Sequence, residues 1–247
     1  MYDITGAVAE TGAFGYAANQ TMTGLHARLY AHAFIIGAAG GGSRLVFVSV
    51  DRGAMFQSIK LAVVERLRRR FGGLYTDENV MLSATHTHVG NSGHSHDRLY
   101  QIAGNDGAGY GYDEHNFDAV VAGIVEAIAR AHVNLEPGRV SLKTGTLTGA
   151  TRNRSLPAYQ ANKDAAAFAS SVNEEVVQLE LTEADGTPRG LINWFAIHPT
   201  SFSLESTLIS SDNEGYAQYF FEQRMKAHPR DSKGFVAPLH NAMRVTS

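Results

Sequence analysis

Apolar positions along this chain follow two spacings, and the spacings divide it into strands and helices. Ala31–Gly37 (A-H-A-F-I-I-G) and Arg44–Val50 (R-L-V-F-V-S-V) read as strands joined by the Gly40-Gly41-Gly42 turn. The second is largely apolar on both faces and so belongs inside a sheet. Phe56–Phe71 has helical spacing, with Ile59, Val63, Leu67 and Phe71 every fourth residue along one stripe. Gly72-Gly73 stops that helix, and Val80–Ala84 follows as a buried strand. Phe117–Ala131 is a second amphipathic helix, with Phe117, Val120, Val121, Ile124, Ile128 and Ala131 inward; Pro137-Gly138 follows its end. Val140–Leu147 alternates as a strand. Val176–Leu181 and Leu191–Ile197 flank the polar Glu183-Ala184-Asp185-Gly186-Thr187 as a β-hairpin. Ser210-Ser211-Asp212-Asn213 caps a helix from about Glu214 to Lys226. Two loops stand out: Thr11–Gln20, made of small residues with Gly12 and Gly15, and the polar, glycine-rich Asn91–Asp113. A loop as long as the second inside a compact domain usually carries function or is mobile. The expected fold class is α/β, with mixed β-sheets flanked by helices. No internal repeat, low-complexity tract or linker divides it.

Composition narrows the function classes. At 247 residues, 44% hydrophobic and 18% charged, the chain matches one large globular domain. A formal net charge of −3 gives no reason to expect an acidic partner. The basic cluster Arg66, Arg68, Arg69 and Arg70 falls mostly opposite the apolar stripe of its helix, so it reads as a solvated face rather than a nucleic-acid footprint. With no cysteine, disulfides and thiolate metal sites are excluded, and any metal must use histidine, carboxylate or other oxygen ligands. The N-terminus, M-Y-D-I-T-G-A-V-A-E, has neither a basic n-region nor an apolar h-region, so no signal peptide is expected. No stretch approaches the roughly 20 apolar residues needed to span a bilayer.

Candidate chemistry centres on Val80–Gly93 (V-M-L-S-A-T-H-T-H-V-G-N-S-G). His86 and His88 follow a buried strand, and residues i and i+2 of a strand share a face, so their imidazoles are expected to converge beside the Gly90–Gly93 turn. That is a common way to present a metal; a polar pair in a surface turn is the plainer alternative. His94 and His96 lie just beyond and could add ligands, but read rather as residues outside the ligand set or merely exposed. His198 ends the strand Leu191–Ile197 and serves equally as a core or turn histidine. Arg152 and Arg154 bracket Asn153, a spacing that suits carboxylate, amide or hydroxyl recognition or simply a turn. Asp51-Arg52-Gly53 closes the Arg44–Val50 strand, at a place where α/β proteins often keep functional groups, or serves equally as a structural turn.

Taken together, these pieces resemble the neutral ceramidase family. The matching stretches are G-A-F-G-Y (Gly12–Tyr16), G-L-H-A-R-L-Y-A-H-A-F (Gly24–Phe34), S-A-T-H-T-H (Ser83–His88) and F-D-A-V-V-A-G-I-V-E-A-I (Phe117–Ile128). They continue with R-N-R-S-L (Arg152–Leu156), W-F-A-I-H-P-T-S (Trp194–Ser201) and L-I-S-S-D-N-E-G-Y-A (Leu208–Ala217), in family order over nearly the whole chain. The resemblance implies hydrolysis of the amide of ceramide (N-acylsphingosine) to sphingosine and fatty acid. It implies Zn2+ as cofactor, with His86 and His198 as two of its ligands. His88 then supports them from just outside the coordination shell, and Arg154 faces the polar head of the substrate. The expected partner is ceramide or a related sphingolipid, with contact to a membrane surface through that substrate and no nucleic acid. Many relatives are secreted. Zinc suits this chemistry because it lowers the pKa of bound water to about 7 and polarises an amide carbonyl.

The sequence also departs from the family pattern. Asn91-Ser92-Gly93 stands where the family has P-G-G. The family's further zinc ligands, a glutamate and a tyrosine, have no counterpart before Ser247. The tract A-F-A-Q-x-N-x-G-D-x-S-P-N, with the family's proposed nucleophilic serine, is replaced from Pro238 by P-L-H-N-A-M-R-V-T-S. Codons for that ending can be chosen so that a shifted frame spells A-F-A-Q-C-N-A-G-D-V, so Pro238–Ser247 is expected to be a frameshifted reading. The expectation is therefore the N-terminal portion of an incomplete large catalytic domain, without its C-terminal part or immunoglobulin-like domain. Such a chain would bind metal weakly, expose apolar surface and turn over little or no ceramide. The alternative, a different histidine-based metallohydrolase, lacks the H-x-H-x-D-H signature because Gly90 occupies the aspartate position.

Overall fold

A computed structural model describes residues 1–16, 18, 20–97, 100, 111–226 and 234–241. These residues form three four-stranded sheets. The first contains β1 (Tyr2–Asp3), β4 (Tyr30–Gly37), β5 (Arg44–Val50) and β6 (Val80–Ala84), in the order β1-β4-β5-β6. It is mixed: β4 pairs antiparallel with β1 and β5, whereas β5 and β6 run parallel. The parallel pair places the C-terminal ends of β5 and β6 side by side, and the candidate site grows from those ends.

One face of this sheet presents Val46, Val48 and Val50 to the helices Gln57–Phe71 and Glu114–Val133, which bury Ile59, Val63 and Leu67 and Val120, Val121, Ile124 and Ile128 in one apolar cluster. Full burial of side chains of this size stabilises by about 1.5–3 kcal/mol each. Asp113 caps the second helix by accepting from the backbone N–H groups of His115 and Asn116, so that helix starts three residues before the apolar stripe does. The Arg66–Arg70 face is solvated and ion-paired. Arg66 meets Asp118 at 2.6 Å, Arg70 meets Glu126 at 3.0 Å, and Arg68 and Arg69 share Glu65.

On the other face, Phe34 and Phe47 meet Ile192 and Trp194 of the second sheet, ordered β12-β10-β9-β8. Its strands are β8 (Gly138–Thr146), β9 (Glu175–Glu183), β10 (Pro188–Phe195) and β12 (Leu239–Asn241). β9 and β10 form the expected hairpin, and β8 is exposed along its whole length. β10 ends at Phe195, two residues earlier than its apolar run suggests, so His198 stands in the segment after it.

The third sheet corrects the sequence reading. Thr11–Gln20 was expected as a loop, yet its first residues belong to β2 (Ala9–Phe14), paired with β3 (Thr21–Leu25) and with β7 (Gly90–Asn91). β11 (Leu208–Ile209) closes this sheet beside β3. Partners distant in the chain impose extended structure on residues whose own side chains give no strand signal. Within Asn91–Asp113, residues 98–99 and 101–110 lie outside the described residues. The expected frameshifted ending does so from 242 onward, whereas Leu239–Asn241 pairs in parallel with Asn193–Phe195.

The helix Asp212–Lys226 is turned inside out. Apart from Gly215, its buried residues are polar, namely Asp212, Glu214, Gln218 and Glu222, while Tyr216, Tyr219 and Phe220 are 67%, 58% and 51% exposed. Glu214, Gln218 and Glu222 share one stripe at a spacing of four. Glu222 accepts from the backbone N–H of Ala237 at 3.1 Å and lies 4.0 Å from His32.

Candidate metal centre

β6 stops at Ala84, so the two histidines that follow do not converge by strand alternation. Main-chain anchoring turns them together instead. The backbone N–H of Thr85 donates to Val50 at 3.0 Å and that of His86 to Arg52 at 2.9 Å, which extends the β5–β6 pairing past the strand ends. His86 sits at φ 77°, in the left-handed region that a non-glycine residue occupies only when its surroundings hold it there. Its ring is held as well, with Nδ1 2.6 Å from the carbonyl oxygen of Gly53. A carbonyl only accepts, so Nδ1 carries the proton and Nε2 keeps its lone pair for a cation. Thr87 points the other way, fully buried, and donates to the carbonyl of Ser210 at 2.8 Å.

His88 is buried between two parts of the G-A-F-G-Y segment. The ring of Tyr16 meets it edge-on at 4.7 Å, and Tyr16 is itself fixed by donating its hydroxyl to the carbonyl of Phe202. Gly15, at φ 141°, approaches so closely that a Cβ there would sit 2.5 Å from His88 Cγ. His198 enters from the segment after β10. That segment is tied down where Asp212, also left-handed at φ 58°, accepts from the backbone N–H groups of Ser201 and Phe202 at 3.1 and 3.3 Å.

Three rings therefore converge. His88 Nε2 lies 3.2 Å from His86 Nε2 and 2.8 Å from His198 Nε2, and ligand atoms of all three fall within 4.8 Å of one another. In a tetrahedral shell with Zn–N bonds of about 2.0–2.1 Å, ligand nitrogens sit roughly 3.3 Å apart. The spacing fits a shared cation, and so does the donor set of neutral imidazoles. Burial, then the neighbouring His86 and His198 and the charge of Arg154, lowers the pKa of His88 to about 4. Burial, then His86 and Arg154, lowers that of His198. These three residues could hold a metal ion.

Arg154 is exposed, between β8 and the short helix Leu156–Gln160, and its charge reaches His88, His198 and Tyr16. His94 and His96 stand apart from the cluster. His94 is 1% exposed, packs against Phe14 and Phe56, and holds Nε2 3.2 Å from the carbonyl of Ala54; burial lowers its pKa to about 3. It is a core residue, not an exposed one. His96 lies against Tyr112 at 4.0 Å.

A family model described as neutral/alkaline non-lysosomal ceramidase, N-terminal, matches residues 1–244. This chain belongs to that family. Neutral ceramidase of Pseudomonas aeruginosa is 41% identical over 236 residues, 95% of this chain and 34% of that protein. Neutral ceramidase B of Dictyostelium discoideum is 40% identical over 242 residues, 96% of this chain and 33% of that one. The crystal structure of neutral ceramidase from Pseudomonas aeruginosa superposes with a TM-score of 0.88 at 40% identity, covering 96% of this chain and 36% of that one. The chain thus spans about one third of the length of the curated relatives it matches.

What sequence reasoning missed is how these residues hold the site: a main-chain carbonyl at Gly53, a close approach at Gly15 and the carboxylate of Asp212. The Gly53 carbonyl and the bare Cα of Gly15 leave no side-chain signature, and Asp212 looks like an ordinary helix cap.

Proposed function

We propose that this chain carries the histidine part of a zinc site that serves hydrolysis of the amide bond of ceramide to sphingosine and fatty acid. The observation that carries the reading is the convergence of His86, His88 and His198, from two distant segments, in a member of the ceramidase family. A solved structure described as "Ceramidase complexed with C2", 40% identical to this chain, supports a ceramide-like substrate. A Zn2+ held by these imidazoles supplies Lewis-acid polarisation of the amide carbonyl and a lowered pKa for water.

The rest of the chemistry belongs to the chain. His86 presents Nε2 because Gly53 fixes its tautomer, and His198 presents its nitrogen beside it. His88 braces both, its own ring held between Gly15 and Tyr16. Arg154, exposed at the rim, takes the hydroxyl-rich head of a sphingolipid by donating hydrogen bonds, and the acyl chains stay in a membrane surface. In the overall reaction water adds its oxygen to the acyl carbon, the C–N bond breaks, and the amine leaves with a proton.

A second reading is that 1–247 alone binds metal weakly and turns over little substrate. With His88 as a brace, His86 and His198 supply two of the three protein ligands that a catalytic zinc normally uses, which favours it. Zinc titration with parallel assay of sphingosine release tests both. Stoichiometric zinc lost in His86→Ala and His198→Ala supports the site, and release that depends on those residues decides against the second reading.

A further inference from the structure

The Asp51-Arg52-Gly53 turn holds the one fully buried guanidinium among the described residues with no evident part in the site itself. Arg52 is 0% exposed, and its hydrogen bonds run to main-chain carbonyls. One amino group donates to Asn91 at 3.1 Å; the other donates to Ile4 and, at 3.4 Å, to Thr5. Asp3, and Asp51 once ionised, balance its charge through space. Burying a guanidinium is costly, and apolar residues of like size fill a core as well or better. A rigid, multiply donating cation can hold several carbonyls at once, which a methionine cannot.

The connections run on to His86. Arg52's own carbonyl receives the His86 backbone N–H at 2.9 Å, and the next carbonyl, of Gly53, receives the His86 ring at 2.6 Å. Gly53 is wedged in place, since a Cβ there would sit 2.2 Å from the Phe14 ring and 3.0 Å from the Phe14 carbonyl. The Asn91 that Arg52 grips belongs to β7, and Asn91 pairs with Ala13, two residues before the Gly15 that backs His88. The guanidinium thus locks the N-terminal segment, the turn after β5 and β7 into one frame, with His86 hanging from its centre.

We infer that Arg52 is a positioning residue for His86: it fixes the carbonyls of residues 52 and 53 that set the ring's direction and tautomer. The inference rests on the metal-site reading above. The plain alternative is a core arginine that only stabilises the fold.

Both are separated by Co2+ titration, read by visible absorption, and by 15N–1H spectra of the metal-free His86 ring, on the full chain. The variants are Arg52→Met, Arg52→Lys and, as a destabilised control, Leu67→Ala. Leu67 is buried in the helix Gln57–Phe71, ten residues or about 15 Å along the axis from its start at the site end. Loss of a residue that orients a metal ligand typically costs 10–100-fold in affinity. Arg52→Met is expected to weaken Co2+ binding by that factor and to mix the His86 tautomers. Arg52→Lys, which keeps the charge but not the fork, is expected to fall between, and it carries the test if Arg52→Met does not fold. Leu67→Ala is expected to lower Tm and leave both readouts within about twofold and unmixed. Co2+ affinity and a tautomer signal unchanged in folded Arg52 variants, or falling only as Tm falls in Leu67→Ala, overturn the inference. A wild-type chain that binds no Co2+ overturns the metal reading instead, and the tautomer spectra then decide the positioning role by themselves.

Discussion

His198 and His88 bring their Nε2 atoms within 2.8 Å of each other although 110 residues separate them in the chain. Without a cation one of the two nitrogens donates to the other, so both rings are already aimed at a common point. A metal held there would meet preformed geometry, and the ring that carried the shared proton on Nε2 would carry it on Nδ1 instead. His86→Ala and His198→Ala are therefore expected to abolish stoichiometric zinc binding. His88→Ala, if His88 only braces the ligands, is expected to weaken binding about 10–100-fold. Competition with a chromophoric chelator measures all three.

Gly15 and His88 make a second, steric prediction. A methyl group at residue 15 would stand 2.5 Å from His88 Cγ and 2.9 Å from its Cα, at a backbone φ that L residues avoid. Gly15→Ala is expected to destabilise by about 1–3 kcal/mol and to displace His88. Urea midpoints and zinc affinity measured together should both fall, whereas a cap or surface change of equal cost moves only the midpoint.

The pH dependence of stability separates two buried groups of opposite sign. His94 has its pKa lowered by burial to about 3, below the ordinary 6.5, so between those values the unfolded chain binds a proton that the folded chain refuses. Its contribution is intact above 6.5 and is lost as pH falls towards 3. Asp51 has its pKa raised by burial to about 7 from 3.8, so its contribution is intact below 3.8 and is lost as pH rises through 7. At pH 5 each group should change the slope of stability against pH by about 1.4 kcal/mol per unit. His94→Gln is expected to make stability rise less steeply with pH, and Asp51→Asn to make it rise more steeply. Urea unfolding at intervals from pH 4.5 to 6.5 reads both slopes.

The exposed rings of Tyr216, Tyr219 and Phe220 on the helix Asp212–Lys226 predict self-association. Tyr216 and Phe220 stack at 6.3 Å as one apolar patch. Replacing both by serine is expected to lower dye binding to apolar surface and to shift light scattering towards a single chain, with little change in Tm. Unchanged scattering would place the adhesive surface elsewhere, with the exposed β8 as the next candidate.

Legibility in the sequence tracked where each signal resides. β4, β5 and β6 and the helices packed on them were readable because Val46, Val48, Ile59, Val63, Ile124 and Ile128 announce their burial by periodicity. β2 and β3 were not, because Thr11, Gly12 and Ala13 become extended only through pairing with Thr21, Met22 and Asn91. The Asp212–Lys226 helix was readable as a helix but not in its orientation. Burial of Gln218 and Glu222 rests on Asp51, His32 and Ala237, none of them adjacent in sequence. At the site the histidines stood out as side chains, and strand alternation gave the wrong reason for their convergence. The anchors that do it, the carbonyls of Arg52 and Gly53 and the left-handed His86, are backbone features with no residue code of their own.

X-ray absorption at the zinc edge of the zinc-loaded chain tests the central claim most directly. The account predicts one zinc per chain with at least two imidazole nitrogens at about 2.0–2.1 Å, and loss of that imidazole pattern in both His86→Ala and His198→Ala. A zinc shell made of oxygen alone, or the same imidazole pattern in wild type and both variants, would contradict it.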